Sequence, residues 1–213
     1  MRRVLLLILA TVGIGGSVAY AATLSVGSGH LWAGGQSLTK STCTLSGTAS
    51  TTDAYVDENS PTSSFGGATT LSVGPKTNKR TWMLVRFDLS SCSIPTTGGA
   101  DSATLNLHIT TAPTSSQTLD VSTISSTWSG STTWNTVPSA GSSFASITTG
   151  TTNNVTKSVT VTADVDALIK SSSANYGWLI TEASSNANVT TLFGSSENGT
   201  TANQPQLVIN YEK

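Results

Sequence analysis

The sequence predicts an all-β fold built as a sandwich or barrel, on three observations. Serine and threonine make up a third of the 213 residues, and only 10% are charged, against about 25% in an ordinary soluble domain. Thr and Val sit well in strands, whereas the residues that favour helices are mostly scarce. Short segments of alternating apolar and polar residues recur with turn residues between them, the pattern of a sandwich or barrel. Only one stretch has helical spacing. No internal repeat is visible, which argues against a propeller or solenoid. The length suits one medium domain with a real core.

The chain opens with Met1-Arg2-Arg3, an apolar run from Val4 to Ala10, and Ala19-Tyr20-Ala21. A basic start, an apolar stretch and small residues at the end read as a secretory signal over residues 1–21. An uncleaved anchor is the alternative. Loss of Arg2 and Arg3 moves the net charge from −1 to −3. No second apolar span follows, so no membrane contact is expected after cleavage. Residues 22–51 carry weak strand signals broken by glycines, and read as an N-terminal arm or edge strand. A flexible stalk is the plainer alternative. The main domain is then 52–213. In an exported chain, Cys43 and Cys92 most simply pair with each other. That closure is worth about 3–4 kcal/mol on the chain-entropy estimate. Two free buried thiols or an intermolecular link are the other readings.

From Thr52 the strand signals are Asp53–Val56, Thr70–Gly74 and Thr81–Leu89. In the third, Met83, Val85, Phe87 and Leu89 share one face, and Trp82, Leu84, Arg86 and Asp88 the other. Ala103–Ile109 alternates as cleanly, with Leu105, Leu107 and Ile109 inward and Asn106 and His108 outward. Further strands are expected at Leu119–Ile124, Ser158–Val161, Tyr176–Thr181, Thr190–Phe193 and Gln206–Tyr211. Asp164–Lys170 has apolar spacing of three and four, one short amphipathic helix, with Thr162 placed to cap it.

These segments, in order, resemble the DNRLRE domain family, which overlaps carbohydrate-binding module family 96. The resemblance rests on Asp53-Ala54-Tyr55-Val56, on Ser60-Pro61 with Phe65-Gly66, and on Leu71-Ser72-Val73-Gly74. It continues through Leu84–Ser90, Ser102–Leu105, Thr133-Trp134-Asn135 with Pro138, Ala163–Val165 and Tyr176–Leu179. It ends with Phe193, Ser196-Glu197 and Gln204–Ile209 with Tyr211. About three quarters of the chain is covered. The resemblance implies an exported antiparallel β-sandwich of jelly-roll type, often beside glycosidases, lyases or adhesive modules, with relatives that bind acidic or neutral polysaccharide. The sequence departs from the family at Ser196, where a basic residue often precedes the late Glu, and at Ser64, where Asn is common.

Catalysis needs converging groups with tuned protonation. The chain has only His30 and His108, few carboxylates, and no Gly-x-Ser-x-Gly elbow, His-Glu-x-x-His or phosphate-binding loop. It is therefore expected not to be an enzyme, with no catalytic residue and no cofactor. The near-neutral charge lacks a nucleic-acid footprint. Sugar recognition asks for aromatic faces and planar polar groups, and Arg adds paired donors for a carboxylate. The outward residues Trp82, Arg86, Asn106 and His108, joined by Glu197, are the ligand-binding candidates, on one face if their strands share a sheet. The alternative for Arg86 is a salt bridge to Glu197 or Asp88. Trp128 and Trp134 read as plugs under a long loop, and Trp178 as core. Jelly-roll modules often hold a structural Ca²⁺, and the densest acidic group for it is Asp53, Asp57 and Glu58.

The function expected is thus a secreted, extracellular module that attaches to polysaccharide or cell-wall glycan, free or held at a cell surface. The alternative is a structural or adhesive subunit of a surface layer, matrix or filament, self-associating through its N-terminal arm. A polysaccharide lyase or hydrolase is the weaker third.

Overall fold

A computed structural model describes residues 39–76, 79–170, 173–183 and 189–213. The expected signal segment, residues 1–21, and residues 22–38 of the expected arm or edge strand lie outside the described residues. The rest is eleven antiparallel strands and one helix. They are β1 (Lys40–Ser46), β2 (Thr51–Asp57), β3 (Thr70–Lys76), β4 (Lys79–Phe87), β5 (Ser102–Thr111) and β6 (Thr118–Ile124). Then come β7 (Ala140–Thr148), β8 (Val155–Thr160), α1 (Thr162–Ile169), β9 (Trp178–Glu182), β10 (Thr191–Gly194) and β11 (Gln206–Glu212).

Hydrogen bonding runs through one curled sheet that folds into two layers. In the first layer, β5 pairs with β8 along one edge and with β11 and then β10 along the other. Beyond β11 lies β1, and beyond β10 the start of β3. In the second layer, β4 pairs with β2 along one edge and with β9 and the end of β3 along the other. The layer continues through β6 to β7. This is the antiparallel sandwich expected.

The turn of the sheet lies inside β3. Residues up to Val73 pair with β10, and from Gly74 the strand pairs with β4. Gly74 has φ +115°, and a Cβ there would lie 2.5 Å from the Val189 carbonyl oxygen. Only glycine takes that conformation without strain. The corner is held by polar groups in a dry setting. Thr81 Oγ1 donates to Gly74 O at 2.8 Å, the Gln117 amide donates to Val189 O, and Thr191 Oγ1 donates to Gln117 Oε1 at 3.2 Å. Burial of such groups is tolerated because each finds a partner.

Alternation decides the core. Met83, Val85 and Phe87 of β4 meet Leu105, Leu107 and Ile109 of β5 between the layers, with Phe193, Ile180 and Leu207. Trp178 belongs to this core, 3% exposed, its indole N–H donating to Asp164 Oδ2 at 3.0 Å. Cys43 of β1 is bonded to Cys92, which ties the edge strand to the turn after β4. The helix forms where expected, but Thr162 does not cap it. Its Oγ1 accepts from Ala103 N at 2.9 Å, pinning the helix start to β5, and Val161 is the cap residue. Among the described residues, no helix is long and apolar enough to cross a membrane.

Candidate functional site

The outer face of the second layer carries its own apolar patch. Ala54 and Val56 of β2, Leu84 of β4 and Leu179 of β9 form it with Ile124 and Trp128. A bare sheet face of this kind needs cover, and the long connection from β6 to β7 supplies it. Trp128 is 7% exposed, and its indole N–H donates to Tyr176 O at 2.7 Å. It is the plug expected of it.

Trp134 is held differently. Trp134–Thr136 makes a single 3₁₀ turn, closed by Thr136 N donating to Thr133 O at 3.1 Å and capped by Thr133 N donating to Thr136 Oγ1 at 3.0 Å. Asn135 N donates to Pro61 O at 3.1 Å, so the turn docks on the loop between β2 and β3. Those loops also touch at Gly66, where a Cβ would lie 2.3 Å from Gly130 O. The result leaves Trp134 half-buried, packed on half-buried Trp82 with ring centroids 4.5 Å apart at 46°.

Arg80 lies over both rings, its Cζ 5.3 Å from the Trp82 centroid and 5.1 Å from that of Trp134. Cation–π attraction holds it there. Arg80 Nε and N both donate to Glu58 Oε2, at 3.2 and 3.0 Å, and Lys79 Nζ lies 3.8 Å from Glu58 Oε1. The Arg80 backbone and side-chain hydrogen bonds hold the Glu58 carboxyl below its usual range. On the other side, Trp82 Nε1 donates to Glu182 Oε2 at 3.0 Å. Burial raises the Glu182 carboxyl, and its hydrogen bonds only partly oppose that. The two acids thus orient Arg80 and Trp82 from either side, while half of the Arg80 side chain stays exposed. An aromatic pair with an accessible guanidinium can stack on a ring and bond an anionic or hydroxyl group beside it.

The residues singled out from sequence are only partly brought together. Trp82 and Arg86 share the outer face of β4. Asn106 and His108 lie on the outer face of β5, in the other layer, so the four do not line one face. There Asn106 Oδ1 accepts from Ser158 Oγ at 2.7 Å, and His108 Nδ1 is 3.1 Å from Thr156 Oγ1. Both serve a cross-strand ladder with β8. Arg86 stacks over Trp128 at 5.5 Å and lines a polar cleft of about 370 Å³ with Thr48, Thr52, Asp88 and Asn175. Arg80, two residues before Trp82 on the same face, was missed because β4 was expected to begin at Thr81.

Glu197 does not reach the Trp82 platform. It lies in the turn after β10, beside Asp53 on the inward face of β2. Asp53 Oδ2 accepts from Ser196 N at 2.7 Å. Burial lifts the Asp53 carboxyl to about 7, opposed by the Ser196 N–H and reinforced by the charge of Glu197. The expected metal set of Asp53, Asp57 and Glu58 is not assembled. Asp53 and Asp57 face inward four residues apart, Asp57 Oδ1 accepts from Asn59 N at 2.7 Å, and Glu58 is engaged by Arg80. Among the described residues no group of three or more metal-ligating acids, histidines or cysteines forms.

The profile of carbohydrate-binding module family 96 matches residues 44–211, from the middle of β1 to the last strand. The chain belongs to carbohydrate-binding module family 96. Among curated proteins, none matches the chain by sequence to a significant degree.

Proposed function

We propose that this family 96 module is exported and non-catalytic, and that it attaches to a polysaccharide or cell-surface glycan through Arg80, Trp82 and Trp134. The observation that carries the reading is one guanidinium over two half-exposed indoles, oriented by Glu58 and Glu182. Indole faces pair with the apolar face of a sugar ring. Arg80 and Lys79 favour a glycan bearing carboxylates or other anionic groups. Binding of the full chain to a panel of neutral and uronate-rich polysaccharides tests this. Saturable binding that weakens with added salt, and that Arg80→Ala reduces at unchanged thermal stability, is expected. Absence of saturable binding anywhere on the panel overturns it.

A second reading, a subunit of an extracellular assembly, has one observation in its favour. Among the described residues β7 pairs only with β6, and it displays Phe144 at 42% exposure. An unpaired edge of this kind can accept a neighbour's strand. Light scattering that shows a monomer at high concentration removes this reading.

A further inference from the structure

Two carboxyl groups meet where β2 passes the turn after β10. Asp53, 2% exposed, projects from the inward face of β2. Half-buried Glu197 comes from the turn, and its side chain is hydrogen-bonded to the Asp53 carboxyl. A bond between two carboxyls needs a proton, because each is acceptor-only when ionised. The Ser196 N–H serves Asp53 Oδ2 at 2.7 Å, while Asp53 Oδ1 and Glu197 Oε2 are buried without a donor. Native folds leave few such atoms unsatisfied. One proton held between the two carboxyls removes the deficit.

No base stands in for that proton. No Lys, Arg or His is among the groups acting on Asp53, and among the described residues neither acid is in an ion pair. On the same face of β2, burial pushes the Tyr55 hydroxyl up, so it stays neutral, and Asp57 accepts from Asn59 N. Neighbouring β4 turns Met83, Val85 and Phe87 inward, while Arg86 lies outside over Trp128. The turn itself is also the footing of the Trp134 loop. Ser195 N and Asn198 Nδ2 both donate to Thr69 O, at 3.3 and 3.0 Å. Gln204 Nε2 donates to Ser196 O and Asn198 O, at 3.0 and 2.9 Å. Thr69 ends the loop between β2 and β3. Phe65 of that loop stacks on Tyr55 at 4.3 Å, and Pro61 O receives Asn135 N beside Trp134.

We propose that Asp53 and Glu197 are positioning residues: one proton shared between them fastens the turn after β10 to β2 and, through Thr69, sets the loop on which Trp134 rests. Loss of the proton leaves two like charges in a dry contact, and their repulsion drives the turn from the strand. Burial, reinforced by the charge of Glu197, lifts the Asp53 carboxyl to about 7. That folded value lies above the ordinary 3.8, so the stabilisation is complete below the ordinary value and is lost as pH rises through about 7. The consequence for glycan, which rests on the platform reading, is tighter binding in mildly acid than in alkaline solution.

The test compares the full chain with Glu197→Gln, whose amide keeps the size and gives Asp53 a donor at every pH. His108, on the other layer, is common to both proteins and cancels in the comparison. Between pH 5.5 and 8.5 at fixed ionic strength, the wild type should lose roughly 5 °C in melting temperature relative to the variant. Hydrogen exchange over residues 58–69 and 195–204, corrected for its intrinsic pH dependence, should show roughly threefold more opening at pH 8.5 in the wild type and no change in the variant. Asp53→Asn replaces the variant should Glu197→Gln fail to fold, and should both fail the wild-type exchange profile decides. A flat wild-type profile, or the same pH dependence in the variant, overturns the proposal. Affinity for polygalacturonate should fall roughly threefold over the same range in the wild type alone. A loosened turn with unchanged affinity overturns the link to Trp134. Absence of binding at either pH removes the platform reading, while melting and exchange still decide the shared proton.

Discussion

Replacing Trp134 by alanine separates a sugar platform from a structural plug. The side chain rests on Trp82 at 4.5 Å and under Arg80 at 5.1 Å, with part of the ring open to solvent. A buried Trp covers about 150–250 Å², so a sugar stacked on one face covers about 100 Å² of it. At about 25 cal/mol/Å² that contact is worth about 2.5 kcal/mol, or about seventyfold in dissociation constant. The 3₁₀ turn that carries Trp134 is closed by threonines and docked through Asn135 N on Pro61 O. Buried Trp128 and Pro138 remain as anchors for the loop. Trp134→Ala should therefore keep the wild-type circular dichroism and a cooperative melt, and lose about seventyfold in affinity for the best polysaccharide of the panel. Calorimetry or affinity electrophoresis reads the change. A well-folded variant that binds within about threefold of wild type refutes the platform. If Arg86→Ala then abolishes binding, the cleft at Thr48, Thr52 and Asn175 is the site instead.

Reduction of Cys43–Cys92, which closes a loop spanning a sequence separation of 49, should cost about 4 kcal/mol by the chain-entropy relation. Urea unfolding with and without reductant measures it, and a loss below about 1 kcal/mol contradicts a stabilising role. Gly74→Ala puts a Cβ 2.5 Å from Val189 O at a φ of +115°. A loss of about 2–3 kcal/mol, or roughly 5–10 °C in melting temperature, is expected. An unchanged melt means that the corner relaxes freely. Arg80 holds the Glu58 carboxyl low, so its folded pKa lies below the unfolded value. The stabilisation from that pair is then present above the ordinary pKa of 4.5 and is lost as pH falls through the folded value. The melting-temperature gap between wild type and Glu58→Gln should be open at pH 6 and close toward pH 3. A gap that persists at low pH assigns it to packing instead.

Strand alternation made most of the sandwich legible, because a buried face imposes period two on the residues that form it. Leu105, Leu107 and Ile109 are buried, with half-buried Asn106 and His108 opposite, as expected. One strand, β7, goes unpredicted, and another, β1, stays between arm and edge strand, for one reason. β1 buries only Leu45 and β7 only Ile147. An edge strand borrows its hydrogen bonds from a neighbour and needs little apolar surface of its own, so its sequence resembles a loop. Of the two readings of residues 22–51, arm or edge strand, the described part takes the second, since β1 pairs with β11 from Lys40 onward. The misplaced cap has a similar origin. Thr162 has the right type for an N-cap, but the start of β5 lies within reach and claims its hydroxyl. Local preference yielded to a tertiary partner.

For the site, alternation fixed which face each residue takes, but not which layer. Trp82 and His108 both point outward, yet outward means opposite surfaces once β3 carries the sheet around at Gly74. Pairing partners decide that, and they lie far apart in sequence, as with Asp53 and Ser196 at 143 residues. The same limit hid Arg80. Its neighbours on the platform come from three segments, with Glu58 following β2, Trp134 in the long loop and Glu182 ending β9. Trp128 and Trp134 are six residues apart in one loop and equal in type, but their fates differ. Trp128 finds the Tyr176 carbonyl and sinks, while the threonine-closed turn keeps Trp134 at the rim against Trp82. A loop that sinks one tryptophan as its anchor can hold the second at the surface without collapse, as the proposed platform requires.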